Sequence, residues 1–383
     1  MKKIAILHDA FLYRGGGERL VTLMAEALHA DLISGFFSPW SFDPKSLWFT
    51  GKIIPLGRPV VRKWFRHLVL KWRFLFAAKV LKNYDTVIFS GDCLDALRHV
   101  RRDAKAYYYC HTPPRYLFDF REHYLHHLSP LLRPIFSYAF SIFARRYRGM
   151  LKHFSLIMTN SRTVQERLRS YCGYDSTVVY PPVNTDIFSP SEDREESLPY
   201  FLSFARLSPP KRVWLIVDAF LWMPDQKLIF TYGKNDPEKD MILTKIHGSP
   251  NIIPLESPDD TTLVHLIQHA TATLYLAREE DFGMSPVESM ACGTPVIGAD
   301  EGWLRETILD GKTGKLLTIS SHEGGVQLLH DTITHTSPRT WHAMKEACIA
   351  RAEEFSLEKF VKTLQSVLSL SESSWNTLKR SKK

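Results

Sequence analysis

The stretch "EDFGMSPVESMACGTPVI" holds a glycine, a Ser-Pro pair and two glutamates, with seven residues between Glu280 and Glu288. A helix that follows a glycine-containing loop offers unpaired backbone N–H groups and the positive end of its dipole, so phosphate is a natural ligand there. Carboxylates beside such a point need a different partner. Vicinal hydroxyls suit them, because both carboxylate oxygens only accept. Backbone donors around Gly283, Met284 and Ser285 facing phosphate, with Glu280 and Glu288 facing hydroxyls on either side, match a nucleoside-diphosphate sugar. A local reading competes: Ser285, Pro286 and Glu288 spell a capping box, in which Glu288 bonds back to the Ser285 N–H and contributes about 1 kcal/mol.

Other groups point to the same chemistry. Arg206 leaves a strand-like run and Lys211 follows five residues later at a helix start, so both cations can reach one point at a sheet edge. A forked guanidinium with a compact ammonium suits a diphosphate, while two solvated surface charges are the plainer alternative. His111 ends "YYYCH" before Thr112-Pro113-Pro114, and the prolines force the chain out of the sheet and display the ring. A structural hydrogen-bonding histidine is the rival reading. Asp92 sits at a similar edge. In "LHDAFLYRGGGERL", Gly15, Gly16 and Gly17 separate a strand from a helix and leave the backbone free to approach a phosphate or sugar, or simply make a tight turn. Leu20 breaks the Gly-x-Gly-x-x-Gly order of a dinucleotide site. The chain contains no Asp-x-Asp and no His-Glu-x-x-His. Neutralising a departing phosphate therefore falls to Arg206, Lys211 and helix N-termini.

Positioning such loops requires strands that end together. "KIAILHD", "DLISGFF", "YDTVIFSG", "AKAYYYCH" and "FSLIMTNS" read as strands separated by helical or irregular connections, which predicts a parallel α/β sheet. "VVYPPVNTDIFSPSEDREESLPY" reads as an interdomain linker. The pattern then restarts with "YFLSFARL", "QKLIFTYG", "ATLYLA" and "TPVIGAD". Two doubly wound halves predict a cleft between facing carboxyl edges, with ligands bound in it.

With 383 residues, 44% hydrophobic and 23% charged, the chain reads as two soluble globular domains. The start "MKKIAILHDAF" turns polar too soon for a secretory signal, and no apolar run reaches about 18 residues. Five scattered cysteines without Cys-x-x-Cys spacing argue against a disulfide framework or zinc site and fit a reducing cytoplasm. The net charge of +8 is concentrated: Arg58 to Lys82 carries eight Lys or Arg, no acid, and Trp64, Phe65, Trp72, Phe74 and Phe76. This composition suits an anionic membrane interface or a basic surface helix on its own domain, and no nucleic-acid module accompanies it.

Taken together, the Glu280–Glu288 element, Arg206 and Lys211 in "FARLSPPKR", "GGGER", "TNS" and "YPPVNTDIF" resemble the retaining glycosyltransferases of family 4 over nearly the whole chain. "YYYCHTPPRYLFDF" further resembles the bacterial mannosyltransferases that build O-antigens and exopolysaccharides, commonly from GDP-mannose. The resemblance implies the GT-B fold: an acceptor-binding Rossmann-like domain over 1–182, a nucleotide-sugar domain over 183–355, and a C-terminal helix, 356–383, packing back on the first. It implies an enzyme without metal or cofactor; with the basic aromatic segment and the scattered cysteines, this predicts a cytoplasmic, peripheral enzyme on the inner membrane face that acts on a lipid-linked or saccharide acceptor. Arg206 and Lys211 would hold the diphosphate, Glu288 the ribose, Glu280 and His111 the donor sugar, with Gly16 and Gly17 near the phosphates. Same-face attack with the leaving phosphate as base is implied. Glu279 adjoins Glu280 and leaves a register choice, which the spacing to Glu288 decides for Glu280. Gly302 stands beside Trp303 where many relatives carry Gly-Gly, which predicts a reshaped sugar pocket. A non-hydrolysing sugar-nucleotide epimerase and a non-catalytic membrane-associated binding protein are the alternatives.

Overall fold

The fold is that of a computed structural model describing residues 2–12, 15–41, 43–47, 49–60, 63–191 and 199–368. Arg62, most of the acidic part of the expected linker, and the end of the expected C-terminal helix with the basic tail lie outside the described residues. The chain divides into two compact units, Met1–Tyr180 with residues from Val361 onward, and Pro181–Phe360. The helix Leu357–Val367 runs across that division.

The first unit contains β1 (Ile4–His8), β2 (Asp31–Ser34), β3 (Ile53–Pro55), β4 (Thr86–Ser90), β5 (Lys105–Cys110), β6 (Leu156–Thr159) and β7 (Thr177–Val178). They form one parallel sheet in the order β3-β2-β1-β4-β5-β6-β7. The second unit contains β8 (Tyr200–Ser203), β9 (Lys227–Tyr232), β10 (Ile252–Glu256), β11 (Ala272–Tyr275), β12 (Val296–Ala299) and β13 (Gly314–Leu317), parallel in the order β10-β9-β8-β11-β12-β13. Strand order reverses direction at β1/β4 in one sheet and at β8/β11 in the other. The crevice at the carboxyl end of such a reversal is where open α/β sheets bind ligands.

The central strands β4, β8, β11 and β12 are buried along their whole length. Helices cover both faces of a parallel sheet, so its inner strands read as continuous apolar runs. Under the first sheet, Leu7, Ile33, Phe74, Phe89 and Tyr108 join one core. The helix Val213–Leu221 buries Val213, Leu215, Ile216, Val217, Ala219 and Phe220 in the second unit. The register sets His8 level with Ser90 and Ser90 level with Tyr109. Successive side chains alternate between faces, so His111, two residues beyond Tyr109, returns to the same side.

Two local expectations change. The helix expected to open at Ser285–Pro286 starts at Met284, with Gly283 as N-cap and no side-chain cap. Ser285 therefore lies inside the first turn rather than capping it. Pro286 still fits, because the first turn needs no intrahelical N–H donors. The three-glycine element is likewise more ordered than a loop: Gly15 is the N-cap and Gly16 and Gly17 begin the helix Gly16–Ala27. Tyr13 and Arg14 of that element lie outside the described residues.

Candidate functional site

Lys211 follows β8 and Tyr275 ends β11, the two strands at the reversal of the second sheet. The Lys211 ammonium donates to the Tyr275 hydroxyl oxygen at 2.6 Å and also to Glu280 Oε2. The Tyr275 hydroxyl donates to the same Oε2 at 3.2 Å, and the ammonium lies 5.0 Å from the centre of the Tyr275 ring. Burial first, then the charge and hydrogen bond of Glu280 and the charge of Glu288, push the Tyr275 phenol well above its ordinary pKa. It therefore remains a donor. Gly283 closes on this ring so tightly that a Cβ would stand 2.9 Å from the phenol oxygen. The start of the helix Met284–Ala291 is thus seated on the same cluster. The other end of that helix is fixed by Ser289, which meets Thr273 of β11 at 2.7 Å and donates to the Thr294 carbonyl at 3.0 Å.

Arg206 is exposed and lies 3.4 Å from Asp236. Asp236 is already held by the N–H groups of Leu207 and Gly233 at 2.9 and 3.0 Å. Each expected cation thus has its own carboxylate, Asp236 for Arg206 and Glu280 for Lys211. A third cation was not read from the sequence: Arg212, in a left-handed conformation (φ 51°), pairs with Glu301. Glu301 also accepts the Glu279 N–H at 3.2 Å. That strut sets the turn so that Glu279 is exposed while Glu280 is half-buried against Lys211.

Trp303 does not line an open sugar pocket. It is fully buried, its ring 4.1 Å from Phe282 and 5.4 Å from Phe355. Its backbone N–H donates to the Glu280 carbonyl at 3.0 Å and its indole N–H to the Gly283 carbonyl at 3.3 Å. Gly302 has φ 56°, and a Cβ there would stand 2.8 Å from both N and O of Glu280. Only glycine tolerates that combination of backbone and space. The Gly302–Trp303 pair therefore acts from below, by holding the turn from Glu280 to Gly283.

In the first unit, His111 does not stand alone. The ends of β1, β4 and β5 bring it to Ser90, with His111 Nε2 2.7 Å from the Ser90 hydroxyl and His8 Nδ1 3.1 Å from the same oxygen. Burial, with His8 close by, lowers the His111 pKa to about 4, against a smaller opposing effect of Asp9. The ring is therefore neutral at physiological pH. Gly16 and Gly17 sit in a first helical turn whose Glu18 reaches back to the Leu12 N–H at 3.3 Å.

Residues 14–187 match the family described as Glycosyltransferase Family 4, and residues 184–349 match that described as Glycosyl transferases group 1. The chain belongs to glycosyltransferase family 4. Among its relatives, a D-inositol 3-phosphate glycosyltransferase of Thermobifida fusca is 36% identical over 115 residues, 30% of this chain and 26% of that protein. The O-antigen chain mannosyltransferase RfbU of Salmonella typhimurium is 27% identical over 213 residues, 49% of this chain and 58% of that one. The matches thus span 26% and 58% of these curated relatives' length. The crystal structure of Anabaena Alr3699/HepE in complex with UDP and glucose superposes with a TM-score of 0.72 at 18% identity, covering 96% of this chain and 100% of that one. This family 4 chain has the GT-B architecture of two parallel-sheet α/β units.

Sequence reasoning missed Tyr275, Arg212, Glu301, His8 and Ser90 in this family 4 protein. All but Arg212 and Glu301 end strands, so strand-end position was the available signal. Among the described residues, no group of three or more His, Cys, Asp or Glu has the geometry of a metal site.

Proposed function

We propose that this protein is a retaining glycosyltransferase that moves a hexosyl unit, namely mannosyl from GDP-mannose, to a lipid-linked or saccharide acceptor in bacterial surface polysaccharide synthesis. The observation that carries the transferase reading is the Lys211–Tyr275–Glu280 cluster beside the start of Met284–Ala291, at the strand reversal of the second sheet. An ammonium next to free helical N–H groups suits a diphosphate, and carboxylates suit sugar and ribose hydroxyls. Arg206 and Lys211 are assigned to the diphosphate, Glu288 to the ribose, and Glu280 and His111 to the donor sugar. Protein cations and backbone donors then offset charge on the departing phosphate without a metal. The choice of mannosyl is supported by the name of the Salmonella relative.

We also assign the protein to the inner face of the cytoplasmic membrane. Phe65, Leu68, Trp72 and Phe76 are each more than half exposed and recur at helical spacing along Lys63–Trp72 and the π-type segment Arg73–Ala77. An open apolar stripe on a basic helix supports interfacial docking. Among the described residues no helix is long and apolar enough to cross a membrane.

Calorimetry of the purified protein against GDP, UDP and ADP tests the donor assignment. GDP is expected to bind with a Kd of about micromolar order, weakened at least about tenfold by Lys211→Met. Binding of UDP or ADP alone would replace the guanine assignment, and no binding of any of the three would overturn the function.

A further inference from the structure

The polar contacts around His111 continue further than the pair with Ser90. His8 and His111 are joined by hydrogen bonds through Ser90, and His8 Nε2 lies 3.2 Å from Asp9 Oδ1 as a charge contact, so the four residues follow one another in space. Asp9 is itself fixed. The Ala10 N–H reaches its Oδ1 at 2.7 Å and the Asp92 N–H its Oδ2 at 3.4 Å. Gly91, at φ 83°, leaves room for the carboxylate where a Cβ would stand 2.8 Å from Asp9 Cγ. Ser90 is fully buried and His8 nearly so, which keeps water from substituting for either partner.

The direction of each hydrogen bond follows from proton counting. The Asp9 carboxylate beside His8 Nε2 favours a proton on that nitrogen, and with that single ring proton Nδ1 keeps its lone pair. The Ser90 hydroxyl has one proton. It goes to His8 Nδ1, which leaves the Ser90 oxygen to accept from His111. His111 therefore carries its proton on Nε2 and a lone pair on Nδ1. No hydrogen bond engages that Nδ1 among the described residues, and it is not among the buried unpartnered atoms.

We infer that Asp9, His8 and Ser90 are positioning residues that hold His111 in its Nε2–H tautomer, so that its Nδ1 accepts a hydrogen bond from a ligand hydroxyl. The low pKa of His111 agrees with a ring that stays neutral while doing so. The identity of that hydroxyl as one on the donor sugar rests on the function proposed above; the tautomer does not.

The test is two-bond 1H–15N correlation spectroscopy of the full chain labelled with 15N-histidine near pH 7.5, with His111→Gln used to assign the resonance. The wild-type protein is expected to show His111 protonated on Nε2. In His8→Phe the Ser90 hydroxyl loses its acceptor and turns to His111 Nε2, so the population is expected to move to the Nδ1–H form. Activity would then fall about tenfold in kcat/KM with nucleotide affinity unchanged. An Nδ1–H tautomer in the wild-type protein overturns the inference, and so does an unaltered Nε2–H tautomer in folded His8→Phe. The wild-type spectrum decides even if that variant does not fold. Because the spectra need no donor, their outcome is separate from that of the nucleotide calorimetry.

Discussion

At the scale of single residues, burial decides which side chains are acids, donors or acceptors. His111 carries a testable consequence. Its pKa is lowered from 6.5 to about 4 by burial, so between these values the unfolded chain binds a proton that the folded chain refuses. The stability associated with His111 is complete above pH 6.5 and is lost as pH falls toward 4, by up to about 3 kcal/mol. Denaturant unfolding measured from pH 7 to pH 4 is expected to show a slope shallower by about one proton in His111→Gln; an identical slope would place the ring in a solvated setting. Lys211, Glu280 and His111 were legible because each has an unusual residue type at a strand end or helix start. Tyr275 was not, because a tyrosine closing an apolar strand reads as one more core residue.

At the scale of elements, turns are held from underneath by groups far away in sequence. Gly302 is the clearest case: a left-handed backbone and a missing Cβ let the chain pass against Glu280, and Trp303 then hydrogen-bonds both ends of the turn. Gly302→Ala is expected to destabilise the second unit by about 2 kcal/mol, lowering its Tm by about 4–8 °C. It is also expected to weaken nucleotide-sugar binding through displacement of Glu280. A thermal melt and a donor titration check both, and an unchanged melt would show that the turn relaxes freely. The strands missed in the sequence, β3, β7, β10 and β13, are the four sheet edges. These edge strands are only partly buried, so they lack the continuous apolar run that marks central ones. The capping box illustrates a different miss. Ser-x-x-Glu is a local pattern, and the packing of Gly283 on Tyr275 starts the helix two residues earlier.

At the scale of the whole molecule, the net charge of +8 and the open apolar stripe make the membrane proposal quantitative. Not every basic residue between Arg58 and Lys82 faces outward. Arg73 is turned inward to the carbonyls of Gly35 and Arg58 at 2.9 and 2.8 Å, and burial lowers its pKa, so it is no free surface cation. The helix Arg133–Leu151 adds exposed Ile135, Tyr138 and Ile142, within a stretch that has no Asp or Glu between Glu122 and Glu166. Replacing Phe65, Leu68, Trp72 and Phe76 together by Ser is expected to lower binding to phosphatidylglycerol vesicles at least about tenfold while leaving the fold intact. Unchanged vesicle binding would remove this surface from the membrane assignment. What the sequence determined by itself was the alternation of buried strands and helices, the two-unit plan, and the residue types at strand ends, because these depend on local periodicity and on burial of both sheet faces. Tertiary structure decided which of those groups meet. Lys211 and Glu280 are 69 residues apart and His8 and Ser90 are 82 apart; only the parallel register and the reversal of strand order bring such distant groups within hydrogen-bonding reach.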